Sequence, residues 1–249
     1  MGTLTAHFFY HRRYPEGLLA LFLAIVAAFA IRPYNVFDFW LENLLVIGIV
    51  GLLVLSRRRF PLSHISYTLI FTYLVIHEVG AHYAYSHVPI DWQRLGFERN
   101  HYDRVVHLSF GLFMAYPIQE MFHRLANTRG LWSYYLPLDV TLSFSALYEI
   151  IEWLSALTLT AEASIQFVGA QGDEWDAIKD MAMAGLGALL TMTTTLLIAY
   201  ALNPRFRDEF KTSFRPELDE PLGEVRMRRW KEYARPTTPA RHGPKRGAG

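Results

Sequence analysis

The chain of 249 residues contains no cysteine, which excludes disulfides, thiolate metal sites and a cysteine nucleophile, and is compatible with any redox compartment. Its first 202 residues also lack what a soluble helical bundle requires, a polar stripe along each helix. LALFLAIVAAFAI and LLVIGIVGLLVL offer none, so these segments are solvated by lipid or wholly buried. The segment after Asn203 has the opposite deficiency. It is almost free of aliphatic clusters, bears prolines, and carries 12 of the 24 Lys and Arg residues, so the net charge of +1 conceals two unlike parts. That basic segment alone implies no nucleic-acid partner, and no internal repeat is evident.

What is abundant is apolar length. Taking ~20 mostly apolar residues per crossing of a hydrocarbon core, six spans are expected at Pro15–Ile31, Trp40–Leu55, Ile65–Tyr85, Val105–Phe122, Leu131–Thr160 and Met181–Leu202. The second is short and carries Glu42 and Asn43 near its start, and the fifth is long enough to contain a tilted span plus an extension, or a break near Pro137. The fold expected is an all-α polytopic membrane bundle. Residues 1–202 form the transmembrane domain, and residues 203–249 form a basic tail with a short amphipathic helix around Val225–Tyr233 and a disordered end, RPTTPARHGPKRGAG. Of the 24 Lys and Arg, 19 lie on one side of such a bundle, which places both termini in the cytoplasm by the positive-inside rule. Ala28-Phe29-Ala30 resembles a signal-peptidase site, and cleavage after Ala30 would leave the later topology unchanged.

With that topology, the ionisable residues gather at the outer ends of spans three to six. HEVGAHY resembles the metalloprotease motif HExxH but has one residue too many, so His77 and His82 cannot share a zinc as an i, i+4 pair does. Glu78 and His82 do have that spacing, and could bind one metal or simply bond to each other. Asp103 and His107 are four apart as span four begins, beside His101, Tyr102 and Arg104. YEIIEW puts Glu149 and Glu152 on neighbouring positions of one helix face. Carboxylates at such depth cost ~2.5–3.5 kcal/mol on insertion scales and usually face a cavity, a partner or a functional site. In QGDEWDAIKDM, Asp173, Asp176 and Asp180 are spaced i, i+3, i+7, an acidic stripe if the helix starts near Gly172. Helix-dipole capping explains Asp173 and Asp176; Asp180 lies too deep for that unless Lys179 or Arg104 neutralises it.

So many carboxylates cannot all stay ionised together without counter-charge. Oxygen ligands with some imidazole suit a divalent cation such as Mg²⁺, Mn²⁺ or Zn²⁺. The expected ligands are Glu78, His82, Asp103, His107, Glu149, Asp173, Asp176 and Asp180; shared protons and pairing with Arg104 are the alternatives. In a metal-assisted reaction, Glu149 or Glu152 would be the general base, and His107 a ligand or acid.

The combination HExxxHY, HYDRxxH, YEIIEW and GDxWDxxxDM resembles the YjdF family of bacterial inner-membrane proteins, of unknown function. More distantly, Asp103 with His107, then Glu149 and Glu152, then Asp173, Asp176 and the AGLGALL helix are similar to the pattern of VanZ-like membrane proteins. The chain departs from that pattern at Arg104, Trp153 and Asp180-Met181. The first resemblance implies residence in the bacterial inner membrane, and the second implies a role in the cell envelope. Three functions remain open on the residues alone. One is a metal-dependent hydrolase or transferase acting on a lipid-linked or other amphipathic envelope substrate that enters from the bilayer. Another is a proton- or cation-coupled transporter. The third is a non-catalytic membrane protein whose polar cluster fixes packing or binds a partner.

Overall fold

The structure, a computed structural model, describes residues 13–215 and 222–233. Helix is the only regular structure among the described residues. The chain divides into two compact units, Met1–Ser213 and Phe214–Gly249. The first holds α1 (Tyr14–Phe29), α2 (Val36–Ser56), α3 (His64–His82), α4 (Tyr102–Leu125), α5 (Trp132–Ala156), α6 (Ala161–Val168), α7 (Asp176–Leu202) and α8 (Phe206–Thr212). The second holds α9 (Leu222–Tyr233), which includes the expected amphipathic segment and exposes Arg226, Arg228 and Arg229 beside Met227 and Trp230. The stretch RPTTPARHGPKRGAG lies outside the described residues.

Helices α1 to α5 and α7 coincide with the six apolar segments, and their boundaries shift for local reasons. α2 starts four residues before Trp40 because the Asn35 side chain caps it, accepting from the Phe37 N–H at 2.9 Å and the Asp38 N–H at 3.3 Å. α5 runs unbroken through Pro137. A proline leaves the carbonyl four residues earlier without its helical donor; here Gln119 Nε2 of α4 donates to that Ser133 carbonyl at 2.9 Å. After α5, Thr160 caps the short α6, which the apolar pattern does not reveal. Gly169 and Gly172 take positive φ, as does Gln171, so the chain turns there and α7 begins only at Asp176. The acidic stripe therefore has Asp176 and Asp180 on the helix and Asp173 in the preceding turn.

By length and composition, α2 and α7 are apolar enough to cross a membrane unaided, and α1 is an apolar helix of 16 residues. α3, α4 and α5 are long enough but less apolar, because they carry the polar residues described below.

The tightest packing joins α4 to α7, which share the most extensive helix contact. A Cβ at Gly111 would run into the Ala184 carbonyl oxygen and the Ala188 nitrogen, and one at Gly187 into the Leu108 carbonyl oxygen and the Leu112 nitrogen. Backbone thus lies against backbone, with Ala115, Ala184 and Ala188 buried along the same seam. Thr191 Oγ1 adds a hydrogen bond to the Leu112 carbonyl at 2.8 Å.

The bundle has two chemically different ends. At one, Arg57 pairs with Glu16 at 2.9 Å, and Arg124 bonds Glu120 and the Pro61 carbonyl. Glu120 in turn accepts from the Ser63 N–H and the Ser66 hydroxyl, tying the start of α3 to the end of α4. The other end gathers the α3–α4 loop, α6 and the start of α7. There Asn100 and Gln171 exchange two hydrogen bonds, at 3.2 and 2.9 Å, and Arg99 Nη1 donates to the Ala170 carbonyl at 2.8 Å.

Two expectations follow. Gly111→Val should destabilise the protein by ~1–3 kcal/mol or more through overpacking, whereas Gly48→Val, at a position with nothing within 4 Å, should leave thermal unfolding in detergent nearly unchanged. Because the native chain has no cysteine, single introduced cysteines report sidedness without background. Glu98→Cys should react with an impermeant maleimide on intact spheroplasts, and Asn127→Cys only after lysis; the reverse pattern would invert the orientation.

Candidate functional site

The Gly111–Gly187 contact sets what lies beyond it. Counting back along α4 by helical repeats leads from Gly111 to His107 and Asp103; counting back along α7 leads from Ala184 to Asp180 and Asp176. The four polar residues thus lie on facing sides of two helices that cannot separate. α5 supplies Ser145, Tyr148, Glu149 and Glu152, and α2 supplies Glu42.

At the rim, charge is well matched. Arg99 Nη2 meets Asp176 Oδ1 at 2.6 Å, and Arg104 Nη2 reaches Asp173 Oδ2 at 2.6 Å and Asp176 Oδ1 at 3.2 Å. Lys179 Nζ donates to both Asp173 oxygens, at 2.9 and 2.6 Å. Lys179 first, then the Trp175 N–H and Arg104, hold the Asp173 carboxyl well below the usual carboxylate range. A carboxylate so depressed contributes stability above its ordinary pKa of ~3.9 and loses it only as pH falls through the lowered value.

Inside the rim the balance fails. His107 Nδ1 lies 3.3 Å from the Ser145 hydroxyl, and its Nε2 faces Glu149 Oε1 at 3.3 Å and Asp103 Oδ1 at 3.6 Å. Asp180 is 2% exposed, yet its Oδ1 has no hydrogen-bond partner among the described residues; the nearest cationic atom is Arg104 Nε at 3.9 Å. Glu149 Oε1 is likewise buried without a hydrogen bond. Asp103, Asp176 and Asp180 can each offer one carboxylate oxygen within 4.8 Å of the others. Such a set of acceptors needs a positive charge or protons among them.

A second polar chain adjoins this centre. The hydroxyls of Tyr148 and Tyr85 donate to Glu42 Oε2 at 2.6 and 3.2 Å, and the Tyr85 hydroxyl lies 2.9 Å from His77 Nδ1. Tyr85 reaches inward because Ala84 and Tyr85 both adopt φ +48 just past α3 and fold the ring onto Gly80, where a Cβ would collide with it. Glu42, Tyr85, Asp103, Tyr148 and Glu152 line a small cavity of about 10 Å³, together with Phe167, Val168 and Gly169 at the end of α6. That is room for about one water-sized body.

The structure therefore gathers Asp103, His107, Glu149, Asp176 and Asp180, with Asp173 at the rim. Glu152 lines the cavity beside them. Two of the expected ligands stand elsewhere. His82 Nδ1 bonds the Phe29 carbonyl at 2.7 Å, so this side chain is turned toward the end of α1. Glu78 is wholly buried against Asn43 Nδ2, at 3.5 Å, and does not bond His82. Sequence reasoning overlooked Glu42, Tyr85, Tyr148 and the pairing of Arg99. Glu42 carried a usable signal, a carboxylate inside an apolar run; Tyr85 gave none, since its reach depends on two backbone angles.

A family described as "Predicted membrane protein (DUF2238)" matches residues 14–201. The chain belongs to this family. Within reach of it is the inner membrane protein YjdF of Escherichia coli strain K12, 38% identical over 178 residues that cover 70% of this chain and 85% of that protein. No solved structure matches the chain. This DUF2238 protein is thus a helical protein of the bacterial inner membrane, and all the polar residues assembled above fall inside the family match.

The rim pairs should differ in weight. Arg104→Ala leaves buried carboxylates under-compensated and is expected to cost on the order of 3 kcal/mol, partly recovered in Arg104→Met/Asp176→Asn. Lys179 is 48% exposed in its side chain, so Lys179→Ala should cost under ~1 kcal/mol. Denaturation of the three variants in one detergent gives the order.

Proposed function

We propose that this inner-membrane protein is a divalent-cation-dependent hydrolase or transferase acting on a lipid-linked phosphate or other amphipathic envelope molecule. One observation carries the reading. Asp103, Asp176 and Asp180 can each bring one carboxylate oxygen within 4.8 Å of the others, the Asp180 Oδ1 is buried without a hydrogen bond and has Arg104 Nε at 3.9 Å, and His107 Nε2 stands beside Asp103. If the His107 Nδ1–H is directed at Ser145, its Nε2 presents a lone pair to two carboxylates, an arrangement that a divalent cation resolves. Asp103, Asp176 and Asp180 are the ligands of choice, with Asp176 giving up part of its arginine pairing and His107, beside Asp103, available to complete the set. A cation so held polarises a phosphoryl oxygen and lowers the pKa of bound water. Glu149 stands beside His107 to take a proton, and Glu152 opens onto the cavity. The Lys and Arg distribution puts this end on the periplasmic side, and the resemblance of the Asp103–His107, Glu149 and Asp173–Asp176 pattern to VanZ-like proteins favours an envelope substrate.

A second reading, proton-coupled transport, is favoured by the continuous chain from Tyr148 through Glu42 and Tyr85 to His77. The two readings separate in one set of measurements. The first expects purified protein to bind about one Mg²⁺, Mn²⁺ or Zn²⁺ per chain by elemental analysis and titration, with Asp180→Asn and His107→Ala each weakening affinity at least ten-fold while insertion persists. No metal bound, together with proton flux in liposomes that Glu42→Gln abolishes, would establish the second reading and reject the first.

A further inference from the structure

At the opposite end of the bundle a different site is visible. α1 and α2 follow one another in the chain and both pack on α3, yet they share no extended contact with each other. α1 is bonded to α3 at both ends. The Tyr14 hydroxyl bonds Thr68 Oγ1 at 2.5 Å, and the Phe29 carbonyl bonds His82. α2 is fixed separately through Asn43 to Glu78. Between them remains a cleft of about 750 Å³. Its walls are Leu19, Phe22, Val50, Leu53, Phe71 and Leu74, and its mouth, at the arginine-rich end, is formed by Glu16, Arg57 and Arg58.

The two parts of the cleft ask for one occupant. The walls lie along helices at bilayer depth and are aliphatic or aromatic, with the hydroxyl of the lining Tyr67 already accepting from the Leu62 N–H, so the occupant is hydrocarbon. At the mouth, Glu16 is already matched by Arg57 at 2.9 Å, and the exposed Arg58 adds a positive charge at the level where lipid phosphates lie. We infer that this cleft is a binding site for one anionic phospholipid, its acyl chain between α1 and α2 and its phosphate on Arg58. The cleft shares no lining residue with the cavity of the acidic centre and does not depend on what that centre does.

The test is native mass spectrometry of the full-length chain in detergent with added phosphatidylglycerol or phosphatidylethanolamine, confirmed by lipid analysis of material purified from membranes. One phosphatidylglycerol per chain should be retained in preference to phosphatidylethanolamine. Arg58→Glu should lower that retention about five-fold or more, and Leu19→Trp, which fills the cleft, should abolish it at unchanged thermal stability. Leu52→Trp, on an exposed position outside the cleft, should have no effect. Equal retention of the two lipids, or retention indifferent to Leu19→Trp, would overturn the assignment. So would lipid binding that appears only after residues 2–12 are deleted, since the cleft would then belong to the chain's own N-terminal segment. A dimer that Leu19→Trp dissociates would overturn it in favour of a second copy.

Discussion

The closest constraint in this molecule is the contact of two backbones, α4 at Gly111 against α7 at Gly187. In a bilayer, helices gain little from excluding hydrocarbon, so small residues and dispersion at short range hold them together. That contact fixes the separation of every pair of residues above it on the two helices. Asp103 and His107 are brought to face Asp176 and Asp180 as a geometric consequence. Arg104, on the same turn, is left where it can reach Asp173 and Asp176. The site is an extension of a packing seam rather than a separate construction.

Charge is then distributed unevenly along the seam. The cations Arg99, Arg104 and Lys179 all engage the outermost carboxylates, and the interior ones are left with the distant edge of Arg104, a histidine, a few hydroxyls and one another. Satisfying the interior instead would have required an arginine one turn deeper, where burial penalises it. The outcome is a shell with one more cation than carboxylate over a centre in which carboxylates outnumber cations. Tyr85 and Tyr148 extend that centre toward α2 by donating to Glu42, so that four helices and a loop contribute to one polar interior.

Much of this was readable from the residues, because the bilayer is a demanding solvent. Six apolar segments could be located, and α1 to α5 and α7 occupy them, since nothing else can be done with LLVIGIVGLLVL. Carboxylates within those segments pointed to a common end for the same reason. What escaped were features set by tertiary geometry. Gln119 replacing the donor lost at Pro137 cannot be seen in a pattern of hydropathy. Nor can the departure of His82 toward the Phe29 carbonyl, since spacing gives the face of a helix but not its neighbour. Gly185 and Gly187 were equally small on paper; only Gly187 meets backbone, while Gly185 meets the Leu142 side chain. α6 begins at Ala161, just past the end of the fifth expected span, and went unseen because helix ends depend on caps such as Thr160 more than on apolarity.

The distance in sequence between the two sides of the rim has a consequence for how the protein is made. Arg104 and Asp173 are separated by 69 positions, and Arg99 and Asp176 by 77. A chain emerging from the ribosome therefore inserts α4 and α5, with Asp103, His107, Glu149 and Glu152, well before their partners on α7 exist. During that interval Arg99 and Arg104 have neither Asp173 nor Asp176 to hold, and α4 presents Gly111 as an open notch. The last apolar helix to be synthesised both closes the notch and neutralises the rim, so the interior forms at a single late step of biogenesis, when α7 docks.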